Sequence, residues 1–408
     1  MSQSDFSAGK RALKTIKQDN IKSAQNSMEA AHGLNARERF INSMEYKASN
    51  QVPNFEAGVW PQTRERWIQE GLDEYSWHWD WWAGEENLGM DAREFIPVDY
   101  GMMPPFKSEV LERTDRYEII RNAKGVVSKA LIEGSINGAR SCMNQYLRFP
   151  VENREDFREI KKRYDPAYAA RYPAQWKEIF LPRWKKRTCP LILGRNCATL
   201  GFYWQGREWL GTENLCYAWY DQPELMHEMM EFIADFTIEV SRPVLAETDI
   251  DYVMISEDMS MKNGPLLSPD MYRTFIMPHM KRLVDFLKKN GVRYIAVDTD
   301  GNCHALIPLL LKCGVDAIWP VERASDHMDP LALRREFGRD LRLWGAVDKR
   351  VLARGPQAID VHLREMIPLI NEGGFIPTVD HTVSPDISLE NFMYYMKRKQ
   401  DLLAGKEF

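Results

Sequence analysis

Residues 293–304, with the sequence RYIAVDTDGNCH, are the best guide to the fold of this chain. Four apolar residues form a short run typical of a buried strand, and an acidic turn stops it. A second apolar run then has helical spacing and ends at Gly314. Asp298 and Asp300 point the same way from the strand end, because side chains alternate with a period of two. The stretch predicts a strand, an acidic turn and a helix, with both carboxylates where parallel α/β folds carry their chemistry.

The same strand-and-helix rhythm recurs along the chain. Strand-like runs with helical stretches between many of them occur at residues 52–59, near Phe95, and at residues 191–193, 252–255, 294–297, 317–319, 341–344 and 375–378. Eight such runs predict an α/β fold, a (β/α)8 TIM barrel. An open doubly wound sheet is the alternative, and the lack of a G-x-G-x-x-G motif after a strand argues against it.

The chain divides into an N-terminal arm, residues 1–35, and one barrel domain, residues 36–408. The arm is polar and weakly patterned, and we expect it to pack on the outside of the domain or on a second subunit, which is compatible with a homodimer. Asn35, followed three residues later by Glu38, predicts a capped helix start. Alternation over residues 107–129 predicts a β-hairpin, and residues 152–186 predict a charged, interrupted helical layer.

Composition narrows the class of protein. The chain has 408 residues, 44% of them hydrophobic and 28% charged, as expected for a soluble globular protein. A net charge of −5 without a basic block argues against nucleic acid as the main partner. No apolar run has the length of a membrane span, and the N-terminus lacks the apolar core of a secretion signal. Six scattered cysteines without a CxxC pair indicate free thiols, so a cytoplasmic location is expected.

Acidic residues follow five of the predicted strands, with one histidine among them. They are Glu257 and Asp258, Asp298 and Asp300, Glu322, Asp348, and Asp380 with His381. In a barrel these positions share one mouth, where like charges repel unless a cation neutralises them or some are protonated. Zinc would suit a site with oxygen and nitrogen ligands. The candidates for both catalysis and metal binding are Glu257, Asp298, Asp300 and His381.

Each of these residues also has a purely local interpretation. Acids at strand ends often cap the next helix, and Asp300 before Gly301 could do only that. His381 could be a structural histidine with satisfied hydrogen bonds rather than a ligand. The sequence alone leaves both interpretations open.

Thirteen tryptophans are unusually many, and several cluster at residues 77–82 as WHWDWW. Core packing is one explanation, and an aromatic wall around a flat apolar ligand is the other. The candidate substrate-binding residues are Trp60, Trp81, Trp82, Tyr203, Tyr217 and Arg64.

Short motifs, taken in their order along the chain, resemble the uroporphyrinogen decarboxylase superfamily. They are RERF at 37–40, EDM at 257–259, NGP at 263–265, DGN at 300–302, PVE at 320–322 and GGFIP at 373–377 before His381. The resemblance runs from about residue 36 to near the C-terminus and implies a distorted (β/α)8 barrel. Its decarboxylase members hold propionate groups with two arginines. Arg64 and Arg66 occur here in different surroundings, and the mouth is acidic, which argues against a porphyrinogen substrate.

The superfamily also contains corrinoid-dependent methyltransferases, whose thiol-methylating members hold zinc with a His-x-Cys pair and a late Cys. At those positions this chain has Asp298-Thr-Asp300 and His381. Carboxylates with imidazole make a harder zinc site that favours an oxygen ligand. The pattern resembles methyltransferase I of O-demethylase systems, which moves a methyl group from a methoxylated aromatic compound to a separate corrinoid protein.

This resemblance implies a small methoxylated substrate whose ring lies against Trp or Tyr side chains. The metal, or a protonated carboxyl group such as that of Glu257, would withdraw charge from the ether oxygen while cobalt(I) of the partner takes the methyl group. One alternative is a metal-free decarboxylase of a uroporphyrinogen-like or smaller acid, with Arg64 or Arg66 as carboxylate clamp. The other is a non-enzymatic accessory protein of a corrinoid system.

Overall fold

A computed structural model describes residues 33–47, 52–132, 144–194 and 201–406. The predicted N-terminal arm therefore lies almost entirely outside the described residues. The helix start predicted at Asn35 is confirmed: its side chain accepts from the Glu38 amide at 3.0 Å, and the Glu38 carboxylate accepts from the Asn35 amide at 2.9 Å.

Two kinds of sheet make up most of the strand structure. The strands in the described residues are β1 Glu94–Phe95, β2 Glu109–Arg113, β3 Tyr117–Arg121, β4 Val127–Leu131, β5 Gln145–Arg148, β6 Leu191–Leu193, β7 Tyr252–Ser256, β8 Ser260–Met261, β9 Gly264–Pro265, β10 Tyr294–Asp298, β11 Ala317–Val321, β12 Arg342–Val347 and β13 Phe375–Val379. Seven of them form a curled, parallel half-barrel sheet in the order β1-β6-β7-β10-β11-β12-β13. Every residue of β7, β10, β11 and β13 is buried, as expected for parallel strands covered on both faces.

Helices connect the parallel strands and cover the sheet. In the described residues they are α1 Ala36–Met44, α2 Pro61–Gln69, α3 Arg154–Lys161, α4 Leu181–Lys185, α5 Phe202–Leu210, α6 Thr212–Asp221, α7 Pro223–Glu247, α8 Pro269–Met271, α9 Met277–Lys289, α10 Ile307–Cys313, α11 Pro330–Phe337, α12 Lys349–Leu352, α13 Pro356–Arg364, α14 Ile367–Glu372 and α15 Leu389–Leu403. Among the described residues, none of these helices combines the length and apolarity needed to cross a membrane.

The eighth strand predicted at residues 52–59 is wrong for the described chain. The segment pairs with the curled sheet through a single parallel bridge, Val59 with Val383. Instead of a backbone ladder, the Glu56 carboxylate accepts the amide of Val379 at the end of β13, at 2.8 Å. Pro53 lacks an amide proton and cannot donate to a ladder. A buried side chain therefore does here what a neighbouring backbone carbonyl does in a regular sheet.

The hairpin predicted at residues 107–129 is confirmed and extended. Strands β2 to β5 form an antiparallel sheet in sequence order. The turn between β3 and β4 closes on Asn122, whose side chain accepts from the amides of Lys124 and Val126 at 3.0 Å each. Gly125 provides the positive φ of 84° that the turn requires. The helical layer predicted at 152–186 is only partly helical, as α3 and α4 with short turns between them.

Candidate functional site

Three of the predicted site residues meet at the carboxyl-terminal edge of the curled sheet. Asp298 is the last residue of β10, and it pairs with Ser256 of β7 and Trp319 of β11. His381 follows the end of β13 by two residues. The Nε2 atom of His381 lies 3.4 Å from Oδ2 of Asp300. The strand register thus brings an Asp–Asp–His group to one edge, as the sequence predicted for these three residues.

Asp298 is the buried acid of the group, with 7% of its surface exposed. Its Oδ2 accepts a hydrogen bond from the Ser256 hydroxyl at 3.0 Å. Burial, together with the negative charge of Asp300, raises the pKa of Asp298 to about 8, despite the Ser256 hydrogen bond that favours its charged form. The raised pKa favours the protonated form of Asp298 near neutral pH, and this form is not repelled by the charge of Asp300.

His381 and Asp300 form the more exposed pair. Their side chains are 30% and 35% exposed, so solvent or a ligand reaches both. Burial lowers the pKa of His381, but the hydrogen bond and charge of Asp300 outweigh that effect, and the pKa lies above its ordinary value. The imidazolium form is thus favoured beside Asp300. On its other side, His381 Nδ1 contacts the Thr382 hydroxyl at 2.9 Å.

Glu257 binds backbone amides instead of joining the Asp–Asp–His group. Its carboxylate is fully buried and accepts the amides of Phe202 at 3.0 Å and Tyr203 at 2.7 Å, at the start of α5. Burial raises the pKa of Glu257 to about 7, although these backbone hydrogen bonds favour its charged form. The helix start sits so close that a Cβ on Gly201 would lie 1.7 Å from the Ser256 carbonyl oxygen. Glu257 therefore caps a helix, which the sequence did not predict.

The fit of the predicted zinc ion can be tested on these contacts. Both Glu257 oxygens accept backbone amides, Asp298 Oδ2 accepts from the Ser256 hydroxyl, and Asp300 is paired with His381. Across the described ranges, no three His, Cys, Asp or Glu side chains are grouped so that they could hold a metal ion. These residues do not form a donor set for zinc. Zinc binding therefore stays a prediction from the sequence.

The remaining strand-end acids are neutralised locally. Asp380 is buried and accepts the amides of Arg323 at 3.1 Å and Lys349 at 3.2 Å. Burial raises its pKa to about 6, against the opposing charge of Lys349. The Lys349 ammonium lies 3.3 Å from Glu322. Lys349 is thus a counter-charge at this edge. The sequence alone did not reveal it, because only the fold brings the start of α12 to these acids.

Three of the predicted aromatic wall residues are not arranged as a wall. Trp81 is buried in a stack with Phe392 at 5.2 Å, which is core packing. Tyr203 is fully buried and Tyr217 is 58% exposed on α6. The core-packing interpretation of the Trp cluster holds for Trp81. Its partner Phe392 lies more than 300 residues away along the chain, so the sequence pattern could not distinguish the two interpretations.

Trp82 is buried at the interior of the curled sheet. Its ring meets the ring of Trp319 edge-on, with centroids 5.1 Å apart. Trp319 is the β11 partner of Asp298 in the strand register. The Arg93 guanidinium lies over the Trp82 ring at 4.5 Å from the centroid. Trp82 is therefore packed in the core against Trp319 of β11 rather than lining an open pocket.

Trp60 and Arg64 line a cavity of about 540 Å³ next to the His381 turn. The Arg64 guanidinium lies 4.8 Å from the centroid of the Trp79 ring and 3.3 Å from the Glu74 carboxylate. Trp60 is 42% exposed, and its indole N–H donates to the Thr382 hydroxyl at 2.7 Å. A cavity of this size suits a small ligand. These two predicted binding residues therefore share a cavity, and the Trp60 indole links it to His381 through its hydrogen bond to Thr382.

Comparison with known proteins gives a consistent family assignment. The family model for uroporphyrinogen decarboxylase (URO-D) matches residues 191–401, which include β6 to β13 and all four predicted catalytic residues. The chain is 26% identical over 176 residues to the uroporphyrinogen decarboxylase of Nocardia farcinica, covering 41% of this chain and 46% of that protein. It is 24% identical over 189 residues to that of a Synechococcus strain, covering 46% and 49%. The chain thus spans about half the length of the curated relatives it matches.

A solved structure extends the likeness over most of the chain. A methyltransferase from Methanosarcina mazei superposes with a TM-score of 0.52 and 13% sequence identity, covering 90% of this chain and 99% of that one. At this identity the likeness shows a shared fold. It includes the N-terminal part of the chain, which the family model does not reach.

Proposed function

The chain belongs to the uroporphyrinogen decarboxylase family, and from this premise we propose that it is a methyltransferase. The proposed methyl donor is a small methoxylated aromatic compound, and the proposed acceptor is the cobalt of a corrinoid protein. The observation that carries the proposal is the proton-bearing pair at the sheet edge. Burial and the charge of Asp300 raise the pKa of Asp298 to about 8; burial lowers the pKa of His381, but Asp300 raises it above its ordinary value.

Cleavage of an aryl methyl ether needs a proton for the leaving oxygen, and the Asp–Asp–His group can supply one. The methyl carbon passes to cobalt(I), its bond to oxygen breaks, and the electron pair stays on that oxygen. A phenolate leaves poorly unless its developing charge is stabilised, so a proton donor near the oxygen lowers the barrier. His381 is 30% exposed and can reach a substrate, so it is assigned as the proton donor. Solvent then restores its proton.

Asp298 and Asp300 have separate roles in this proposal. Asp300 keeps the imidazole charged and oriented through its contact at 3.4 Å. Asp298, neutral and buried, adds no negative charge that would oppose a developing phenolate. Trp60 and Arg64 offer the ring a place in the adjoining cavity. Two tryptophan rings and an arginine plane are surfaces on which a methoxylated ring can stack.

The curated relatives favour a second candidate, a decarboxylase that uses Arg64 or Arg66 as carboxylate clamp. Both arginines already have acidic partners. Arg64 pairs with Glu74 at 3.3 Å and Arg66 with Glu70 at 2.6 Å, and Arg66 also donates to the Pro385 carbonyl. A substrate carboxylate would have to displace these partners. The observed contacts therefore support the methyltransferase proposal over this one.

The test uses the purified chain with a cobalt(I) corrinoid and a guaiacol-type methoxyarene. Growth of methylcobalt absorbance is expected, and it should be lost in His381→Ala. Carbon dioxide release from an aromatic or tetrapyrrole acid, without methyl transfer, would establish the decarboxylase instead. Neither reaction, with binding to a corrinoid protein retained, would indicate an accessory protein. Metal analysis of the same sample tests the zinc prediction independently.

A further inference from the structure

The segment that occupies the place of the missing strand holds the His381 turn from both sides. Before the turn, Glu56 accepts the Val379 amide at 2.8 Å. After the turn, the Val383 amide donates to the Gly58 carbonyl at 2.9 Å, and the Trp60 amide donates to the Val383 carbonyl at 3.1 Å. The backbone around His381 is thereby fixed by contacts that do not touch the imidazole itself.

Two side-chain contacts then connect this segment to the imidazole ring of His381. The Trp60 indole N–H donates to the Thr382 hydroxyl oxygen at 2.7 Å, and that oxygen lies 2.9 Å from His381 Nδ1. The indole N–H can only donate, so it fixes Thr382 as its acceptor. The hydroxyl keeps one proton to donate and one further lone pair to accept with.

We propose that Trp60 and Thr382 are positioning residues that keep the Nε2 atom of His381 turned towards Asp300 throughout proton transfer. In the neutral tautomer with its proton on Nε2, the Thr382 hydroxyl donates to Nδ1. In the charged ring, and in the neutral ring left when Nε2 gives up its proton, the same oxygen accepts from Nδ1–H while it still accepts from Trp60. The contact survives both protonation states, so the ring has no reason to flip when Nε2 gives up its proton.

This inference rests on the proposed function for its catalytic consequence, but its structural part can be measured without turnover. In protein labelled with ¹⁵N-histidine, the two ring nitrogens of a neutral imidazole have different shifts, and these identify the protonated one. Signals lost in His381→Asn assign the residue. In the wild-type chain we expect one tautomer, with the proton on Nε2.

Thr382→Val removes the hydroxyl and keeps the shape of the side chain. Either ring nitrogen can then face Asp300, and the two ¹⁵N shifts should move towards a common average. Trp60→Phe should give a smaller change in the same direction, and Thr382→Ser should restore the wild-type shifts. The matched control is Thr274→Val, whose hydroxyl donates to the Asp270 carbonyl in the π-helical turn before α9. Unchanged His381 shifts in Thr382→Val would overturn the proposal.

Methyl transfer by the same variants separates this inference from the proposed function. Thr382→Val should lower kcat about tenfold, as expected for one lost hydrogen bond, with KM for the methyl donor within about twofold. Altered ¹⁵N shifts in Thr382→Val, with no methyl transfer by the wild type or by any variant, would refute the proposed function and leave the positioning role intact. Methyl transfer by the wild type, with His381 shifts unchanged in Thr382→Val, would support the proposed function and refute the positioning role.

Discussion

Asp298 holds its proton because the fold buries it beside a second acid, and this has a cost in stability that depends on pH. Its pKa is about 8 in the folded chain and about 4 when unfolded. Between these values the folded state binds one proton more than the unfolded state. The free energy of unfolding therefore falls as pH rises, by about 1.4 kcal/mol per pH unit from this residue.

Asp298→Asn removes that dependence, since an amide does not titrate. We expect the melting temperature of the variant to rise relative to the wild type as pH increases from 5 to 7.5. Thermal unfolding at the two pH values measures the difference. Asp221→Asn, at an exposed position in α6, is the control and should track the wild type. A gap between Asp298→Asn and wild type that does not change with pH would contradict the raised pKa.

The pH dependence of methyl transfer follows from the charge on His381. If the imidazolium gives the proton, the rate should fall as pH rises through a pKa above the ordinary 6.5. Asp300→Asn removes the charge that raises the pKa of both His381 and Asp298, so the fall should occur at lower pH. Rate profiles between pH 5 and 9 compare the variant with the wild type. Identical midpoints would show that Asp300 does not tune the donor.

At the scale of the helices, Glu257 distinguishes a cap from a catalytic acid. Glu257→Gln keeps one carbonyl oxygen but places an amide NH2 against the free N–H groups at the start of α5. We expect a loss of about 1–3 kcal/mol in the free energy of unfolding, measured with urea. Methyl transfer per folded molecule should change little. Loss of methyl transfer at unchanged stability would return Glu257 to the reacting group.

Elements defined by neighbouring residues were predictable from the sequence. The apolar run of β10 and its acidic turn gave the strand and the position of Asp298, and Asn35 with Glu38 gave the start of α1. These features depend on local periodicity and on caps within three residues. The same reasoning gave the alternation of strands and helices from β6 onward.

Elements defined by distant partners were not predictable in this way. The Glu56 carboxylate accepts hydrogen bonds from Val379, Tyr395 and Lys399. These partners follow Glu56 in the sequence by 323, 339 and 343 residues. The apolar pattern of residues 52–59 is that of a strand, but Glu56 is bound by these distant partners in the folded chain. For the same reason the turn of Glu257 towards α5 could not be inferred, because the strand period gives a direction but not a partner.

For the molecule as a whole, a buried ion pair joins the C-terminal helix α15 to the N-terminal segment that contains Glu56. Lys399 on α15 is fully buried, and its ammonium lies 2.7 Å from the Glu56 carboxylate. The same ammonium donates to the Phe55 carbonyl at 2.8 Å, and the Tyr395 hydroxyl donates to Glu56. The first and last described parts of the chain therefore meet at one buried carboxylate.

Lys399→Met should weaken this joint because it leaves the Glu56 charge buried without its cation. Removing one partner of a buried pair costs about 3–5 kcal/mol, to be measured by urea unfolding. The double variant with Glu56→Gln should recover part of that loss, since no unpaired charge is left. Lys397→Met, exposed on the same helix, is the control and should change stability by less than about 0.5 kcal/mol. Because Glu56 also holds Val379, Lys399→Met should disturb the His381 turn as well; a Lys399→Met chain as stable as the control would show that the segment is held by packing alone.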